Sequence, residues 1–267
     1  MKTVKIQGGL GNQLFGLAFA RSVAIATGQP VALDLSSYER DAFGRGFELA
    51  EFSRSLGAFV PAHRPLAGSR LAHRAARFLP APGFVAERRR PVNEAALRAL
   101  VRKGAFFSGY WQDESYMLDA ERLRLQTRRL FETHGRHAPA GHVVIHYRTY
   151  KEERRRRARR TPPGRYFADA LERIEAETGA VREVVLLSDD VGLARRRLGD
   201  LGRPIVELDQ PDAWSDLALM VRARALILTN SSFSWWGGFC SGARTVIYPR
   251  ADGYAHYPRP SERFLVL

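Results

Sequence analysis

Residues 226–239 constrain the fold of this chain more than any other stretch. They read LILTNSSFSWWGGF: an apolar run leads into four small polar residues, then into aromatic residues and glycines. The apolar run is typical of a buried strand in a parallel sheet. Polar residues after such a strand would lie at the carboxyl edge, where α/β sheets bind ligands and helix N-termini attract phosphate. By itself the stretch equally fits a helix cap followed by core aromatics.

The second half of the chain alternates between short apolar runs and helical patterns, which predicts a parallel, doubly wound α/β sheet. Three of the predicted strands end in polar groups, so these groups would share one carboxyl edge. The polar groups are His146, Tyr147 and Arg148 after the first strand, Ser188, Asp189 and Asp190 after the second, and Thr229, Asn230, Ser231 and Ser232 after the third.

These residue types suit a nucleotide with a diphosphate. The forked guanidinium of Arg148 can bind two oxygens at once, which lysine cannot do in the same geometry. Asp189 and Asp190 could accept hydrogen bonds from a ribose or a base, and Ser231, Ser232 and Phe233 could hold phosphate and sugar. Each residue also has a local interpretation: a surface ion pair for Arg148 and helix N-caps for Asp190 and Ser232. Three polar strand ends on one edge favour a site.

The first half opens with a strand at 4–6, the glycine turn GGLGNQ, a helix ending at Gly28, and a second strand at 31–35. A dinucleotide site is disfavoured here although Asp34 stands at a suitable distance, because Leu14 occupies the position of the third glycine. A turn that presents the amide of Asn12 fits better. The alternative for Asn12 is a helix N-cap.

The composition points to anionic partners. The chain has 42 Lys plus Arg against 28 Asp plus Glu, a formal net charge of +14. Nucleic acid, an anionic membrane surface and phosphorylated small molecules all fit this excess, as does a solvated basic surface. The basic segments are 71–78, an amphipathic helical pattern, 88–90, and 154–160. With one cysteine and no apolar leader or membrane-spanning run, we expect a cytoplasmic protein without disulfides or thiolate metal clusters.

Several motifs together resemble glycosyltransferase family 11, the α-1,2-fucosyltransferases. The matching stretches are GGLGNQLF, GYWQDESY, His-x-Arg after a strand, LSDD and LILTNSSFSWWGGF, in the family's order across most of the chain. The resemblance implies a GT-B-like fold: two Rossmann-like parallel-sheet halves facing a cleft. We expect an acceptor-side domain at 1–135 and a donor-binding domain at 136–267.

The resemblance also implies an inverting, metal-independent enzyme that needs no cofactor and moves L-fucose from GDP-fucose to a glycan hydroxyl, the 2-OH of a galactoside on a bacterial surface glycan. Arg148 would hold the diphosphate and His146 would shape its loop. Asn12 would act catalytically with Arg148, from the cleft beside the donor. The remaining residues implied in donor binding are Gly11, Ser188, Asp189, Asp190, Asn230, Ser231, Ser232 and Phe233.

One motif departs from the family. The family often has HxRRGDY, whereas Thr149, Tyr150 and Lys151 follow Arg148 here. Three carboxylates are unranked candidates for a general base: Asp34, Asp113 and Glu114. The other functions weighed are transfer from a different nucleotide sugar and nucleic-acid binding through 154–160, the latter disfavoured because the aromatics are not interleaved with the arginines. The net charge also fits peripheral contact with an anionic membrane at the inner face.

Overall fold

A computed structural model describes residues 1–39, 44–56, 59–62, 83–87, 91–135, 140–149, 162–208, 212–250 and 258–267. The chain forms two compact units, Met1–Leu123 and Arg124–Leu267. Each unit contains its own parallel sheet with helices, which confirms the predicted α/β class. The predicted roles of residues 1–135 and 136–267 remain predictions. The basic segments 71–78, 88–90 and 154–160 lie outside the described residues.

The N-terminal unit is built on a five-stranded parallel sheet of order β3-β2-β1-β5-β4. Its strands are β1 (Lys2–Lys5), β2 (Val31–Asp34), β3 (Phe59–Ala62), β4 (Phe84–Ala86) and β5 (Phe106–Ser108). Within the described residues, its helices are α1 (Leu10–Thr27), α2 (Ala50–Ser55), α3 (Glu94–Lys103) and a 3-10 turn at Glu114–Tyr116. Helix α4 (Ala120–His134) contains the division between the two units.

Helix α1 ends where the sequence predicts. Gly28 caps it in the left-handed conformation at φ 65°, and its N–H donates to the carbonyl of Ala24. Glycine adopts this conformation without a Cβ penalty. The sequence pattern that begins at residue 109 and runs through Leu123 predicts one continuous helix, and this prediction is wrong. Trp111 and Asp119 have φ of 56° and 58°, which helical backbone cannot accommodate, so the segment divides into the short 3-10 turn and α4.

The C-terminal unit has a six-stranded parallel sheet of order β11-β10-β9-β6-β7-β8. Its strands are β6 (Val143–Tyr147), β7 (Val184–Ser188), β8 (Ile205–Val206), β9 (Ala225–Ile227), β10 (Thr245–Tyr248) and β11 (Leu265–Val266). The other helices in the described part of this unit are α5 (Gly164–Thr178), α6 (Val191–Leu198), α7 (Ala213–Arg222) and α8 (Ser232–Cys240). The regular alternation of strand and helix is what the hydrophobic pattern predicts.

The two adjacent tryptophans of α8 belong to the core. Trp235 and Trp236 are fully buried, with their rings 5.2 Å apart and nearly perpendicular. Trp235 also stacks on Phe239 at 4.6 Å. The interpretation as core aromatics is therefore correct for both tryptophans. None of the helices in the described ranges is long and apolar enough to cross a membrane.

Candidate active site

Strands β6 and β9 mark the place where the C-terminal sheet changes its winding direction. The chain runs outward from β6 through β7 to β8, then returns to β9 on the other side of β6 and continues to β10 and β11. Doubly wound sheets bind their ligands beyond the carboxyl ends of the strands at such a point. The polar ends of β6, β7 and β9 lie side by side, as predicted, because β6 pairs in parallel with both neighbours.

Arg148 lies just beyond the carboxyl end of β6. Its side chain is 44% exposed, and its Nη1 atom is 3.4 Å from Oδ2 of Asp189, whose side chain is only 11% exposed. The interpretation of Arg148 as one partner of an ion pair is therefore correct. Because the aspartate lies on the inner side of the pair, it can orient the guanidinium while the exposed part meets a ligand.

Asp189 accepts hydrogen bonds from the loop that carries Arg148. Its Oδ1 atom accepts hydrogen bonds from the backbone N–H of Thr149 at 2.8 Å and from the Thr149 hydroxyl at 2.9 Å. The Oδ1 atom is therefore used within the protein, whereas the buried Oδ2 atom lies beside Arg148 without a hydrogen-bond partner among the described residues. The predicted contact of Asp189 with a nucleoside remains a prediction.

Thr229 ties the ends of the two central strands together. Its hydroxyl accepts from the backbone N–H of Arg148 at 3.0 Å and donates to the carbonyl of His146 at 3.1 Å. Thr229 is almost fully buried, so both bonds are shielded from water. This clamp fixes the backbone on either side of Tyr147 and therefore the starting direction of the Arg148 side chain.

His146 is a buried, neutral imidazole. Its Nδ1 atom lies 2.6 Å from the hydroxyl of Ser234, and its ring is 5.3 Å from that of Phe233. Burial first, and then the positive charge of Arg148, lower the pKa of His146 to about 4, against an opposing effect of Asp189. A neutral imidazole has one donor and one acceptor nitrogen, so its contact with Ser234 fixes the ring orientation.

Helix α8 begins at the same edge of the sheet. Ser231 is its N-cap, and the Ser231 hydroxyl accepts from the N–H of Phe233 at 3.2 Å. The cap is thus Ser231, whereas Ser232, for which the cap was considered, is the first helical residue. Asn230 is buried directly before the cap. The first turn of α8 carries no acidic residue, so its positive dipole end is suited to an anion.

Asp190 and Ser188 form the turn after β7. Asp190 is the N-cap of α6 and accepts from the N–H of Leu193 at 2.9 Å, so the cap interpretation is correct. The Ser188 hydroxyl accepts from the N–H of Asp190 at 3.1 Å. Asp190 is exposed beside these contacts, and its predicted role in nucleoside binding stays a prediction.

The N-terminal sheet has a winding change of its own, between β1 and β5. The chain runs from β1 through β2 to β3 on one side, while β5 and β4 lie on the other. The motif GGLGNQ leaves the carboxyl end of β1, and GYWQD leaves the carboxyl end of β5. The two motifs meet through their amides: Nε2 of Gln112 donates to Oδ1 of Asn12 at 2.6 Å.

Asn12 is the third residue of α1, and Gly9 is the N-cap. The cap interpretation of Asn12 is therefore wrong. The side chain lies over Gly8, which has φ of 85° and where a Cβ would come within 2.5 Å of Asn12 Nδ2. Gly11 is buried in the same first turn. The following residue, Gln13, points inward and donates to the Gly46 carbonyl at 2.8 Å, so the two adjacent amides have different roles.

The three carboxylates considered as general bases lie in different environments. Asp34 is fully buried at the end of β2. Asp113 caps the 3-10 turn by accepting from the N–H of Ser115 at 2.9 Å. Glu114 is half-buried. Within the described ranges, no group of three or more His, Cys, Asp or Glu side chains is arranged to hold a metal ion.

The sequence assigns no supporting role to four residues that stabilise the site. These are Gln112, Thr149, Thr229 and Ser234, which position Asn12, Asp189, the β6 end and His146 respectively. Each stands inside or next to a motif that the sequence analysis singled out. Their hydrogen-bond partners are 40 to 100 residues away in sequence, so the pattern of neighbouring residues does not reveal them.

This two-sheet α/β architecture is that of the GT-B-like glycosyltransferases. The α-1,6-fucosyltransferase NodZ, in a structure soaked with GDP-fucose, aligns with a TM-score of 0.50 at 16% identity, covering 96% of each chain. POFUT1 in complex with GDP aligns with a TM-score of 0.48 at 12% identity, covering 92% of this chain and 98% of that one. Fucosyltransferase NodZ from Bradyrhizobium aligns with a TM-score of 0.46 at 13% identity, covering 90% of this chain and 92% of that one.

The chain belongs to glycosyl transferase family 11, whose sequence model matches residues 97–255, more than half of its length. The matched region contains GYWQD and all three polar strand ends of the C-terminal sheet. A comparison with curated proteins found no match. The resemblance seen in the motifs is thereby confirmed, and the protein is a glycosyltransferase.

Proposed function

We propose that this glycosyltransferase moves L-fucose from GDP-fucose to the 2-OH of a galactoside in a bacterial surface glycan, with inversion at the anomeric carbon. Membership of family 11 supports fucosyl transfer, and the family's α-1,2 pattern supports this acceptor position. The observation that carries the proposal is the placement of Arg148 at the winding change of the C-terminal sheet, clamped by Thr229 and paired with Asp189.

The chemistry requires charge stabilisation at the leaving group. Fucosyl transfer passes through an oxocarbenium-like state as the nucleoside diphosphate departs, and negative charge grows on its β-phosphate. Arg148 would donate to two phosphate oxygens from its forked guanidinium, and the N-terminus of α8 would add backbone donors. Such preorganised donors are worth about 3–4 kcal/mol each where this has been tested in enzymes.

The same groups would neutralise the diphosphate without a metal ion or another cofactor. Neutral His146 would not repel Arg148, because a second positive charge at this buried position is disfavoured. Phe233, which is half-buried beside His146, would supply an apolar face for the sugar or the base. Asn12 would orient a substrate oxygen through its amide, since a neutral amide cannot act as a base.

Thermal unfolding with a panel of nucleotides tests the donor. GDP and GDP-fucose at about 100 times their dissociation constants should stabilise the protein by ~2.7 kcal/mol. That corresponds to several degrees in melting temperature, since ~2–4 °C is expected per kcal/mol at this size. UDP, ADP and NAD should give no shift. A shift with UDP in place of GDP would point to another sugar donor, and steeply salt-dependent RNA binding without a GDP response would point to a nucleic-acid-binding protein.

A transfer assay tests the acceptor position. Incubation with GDP-fucose and a β-galactoside should release GDP and give a fucosylated product, whereas the 2-deoxygalactoside should give none. The matched acceptor lacks only the hydroxyl that attacks the donor. Equal transfer to both acceptors would refute the 2-OH assignment and leave the GDP-fucose assignment intact.

A further inference from the structure

The amide oxygen of Asn12 accepts a hydrogen bond from within the protein. Its Oδ1 atom accepts the 2.6 Å hydrogen bond from Nε2 of Gln112. Both side chains are half-buried at the carboxyl edge of the N-terminal sheet. With Oδ1 occupied, Asn12 presents its Nδ2 group, which is a donor, to any ligand at this edge.

Gln112 is held in place by an uncommon backbone conformation. The preceding residue, Trp111, has φ of 56°, although it is not a glycine. One carboxylate oxygen of Glu87 accepts from the N–H of Tyr110 at 2.6 Å and from the N–H of Trp111 at 2.9 Å. The Trp111 ring stacks on Phe19 at 3.9 Å. Strained conformations of this kind persist where the surroundings enforce them and cluster at functional sites.

A purely structural role does not account for Gln112. Its Oε1 atom is buried and has no hydrogen-bond partner among the described residues. An apolar side chain of the same length would avoid leaving a buried carbonyl unpaired, which is destabilising. The residue is therefore poorly suited to stabilise the fold, while its Nε2 group is directed at the one side chain of α1 that is a candidate for contact with substrate.

We propose that Gln112 is a positioning residue that fixes the Asn12 amide with Nδ2 directed toward the substrate. Asn12 then donates to an oxygen of the substrate, either a phosphate oxygen or a hydroxyl oxygen acting as acceptor. Gln112 itself does not touch the substrate. The inference rests on the proposed function, because it assumes that Asn12 acts in sugar transfer.

Gln112→Glu reverses the hydrogen bond with little change in shape. At pH 8 the introduced carboxylate can only accept, so the Asn12 amide turns to donate to it and presents Oδ1 to the substrate. We expect kcat to fall at least tenfold, because the Oδ1 atom cannot donate to a substrate oxygen. As the pH is lowered toward 4, below the ordinary glutamate pKa of ~4.3, the protonated carboxyl can donate again, and the ratio of kcat in the variant to kcat in the wild type should rise. A flat ratio would overturn the proposal.

The matched control is Gln29→Glu, which adds the same charge at an exposed position of the same unit and should match the wild type.

A double-mutant cycle separates positioning from general damage. Gln112→Leu should lower kcat at least tenfold in the wild-type background and have no further effect in the Asn12→Ala background, because its effect passes through Asn12. Equal losses in both backgrounds would show that Gln112 acts on its own and would overturn the proposal.

A readout without substrate distinguishes this proposal from the proposed function. The side-chain N–H signals of Asn12, identified by their loss in Asn12→Ala, should shift with pH in Gln112→Glu and stay constant in the wild type. A wild type that binds GDP-fucose but transfers no sugar would refute the proposed function. Signals that do not respond to pH in Gln112→Glu would refute the positioning role whatever the donor.

Discussion

Thr149 donates two hydrogen bonds to a single oxygen of Asp189, from its backbone N–H at 2.8 Å and from its hydroxyl at 2.9 Å. The other oxygen of the same carboxylate lies 3.4 Å from the guanidinium of Arg148. Thr149 stands where family members often have a second arginine. In this chain the position supports the first arginine through the aspartate instead of supplying another charge.

Thr149→Val tests that support. The valine keeps the backbone N–H and the shape of the side chain but removes the hydroxyl bond, so Asp189 orients Arg148 less firmly. A net hydrogen bond contributes ~0.5–1.5 kcal/mol, so we expect turnover to fall about twofold to tenfold. Steady-state kinetics of GDP release would measure it. Thr133→Val, at an exposed position of α4, should leave turnover unchanged. Identical kinetics in both variants would contradict the role of Thr149.

Arg148→Lys tests the fork itself. Lysine keeps the charge but cannot form two parallel bonds with a diphosphate, so we expect a loss of at least tenfold in turnover, on the order of 1.5–3 kcal/mol for a charge-assisted bond. The measurement is kcat together with GDP affinity by calorimetry. Arg173→Lys is the matched control, since Arg173 forms an exposed ion pair with Glu177 on α5. Wild-type turnover and GDP affinity in Arg148→Lys would remove Arg148 from the site.

Metal removal tests how the diphosphate is neutralised. If Arg148 and the backbone amides of α8 stabilise the leaving group, transfer should continue in EDTA at the rate measured without it. The same assay after addition of Mg²⁺ or Mn²⁺ should give no more than a twofold change. Loss of activity in EDTA and its return with either ion would show that a divalent cation takes part.

The sequence predicts the edges of the sheets better than the contacts behind them. The strand at Thr245–Tyr248 and the polar ends of β6, β7 and β9 follow from hydrophobic runs that stop abruptly. Strands β3 and β4 were missed because they are four and three residues long and lie in a proline-rich region with weak periodicity.

The supporting contacts depend on tertiary distances. Gln112 and Asn12 are 100 residues apart, and the left-handed backbone at Trp111 that brings them together carries no glycine signal. A tryptophan after a strand predicts a buried anchor and not a turn. The local interpretations of Asp190 and Arg148 prove correct without excluding a site, since a capping or paired residue can also face a ligand.

Asp216 on α7 should lower stability at neutral pH. Burial first, and the nearby charge of Asp212, raise the pKa of Asp216 to about 6, from its ordinary 3.8. The folded protein therefore binds more protons than the unfolded chain between these values, and stability falls as the pH rises through this window. Asp216→Asn should increase the free energy of unfolding at pH 7.5 by ~1–3 kcal/mol. This corresponds to a melting temperature several degrees higher, and the effect at pH 4 should be small.

The control for Asp216→Asn is Asp169→Asn, which removes an exposed carboxylate on α5. It should change the melting temperature by less than a degree at either pH, because exposed ion pairs contribute about 0–1 kcal/mol. Equal shifts for Asp216→Asn at pH 4 and pH 7.5 would show that ionisation of Asp216 is not the cause.

His146 gives stability the opposite dependence on pH. Its pKa in the folded protein is about 4, below the ordinary 6.5, chiefly because the ring is buried. The unfolded chain therefore binds more protons between these values, so stability rises with pH across this window and is lost as the pH falls from about 6.5 toward 4. The difference is worth at most ~3 kcal/mol.

Urea unfolding at pH 7.5, 6.0 and 4.5 should show this loss. His146→Gln removes the titrating ring, so its free energy of unfolding should depend less on pH whatever its absolute value. The same neutral ring predicts no step in kcat near pH 6.5. Parallel stability curves for His146→Gln and the wild type would show that folding does not lower the pKa of this histidine.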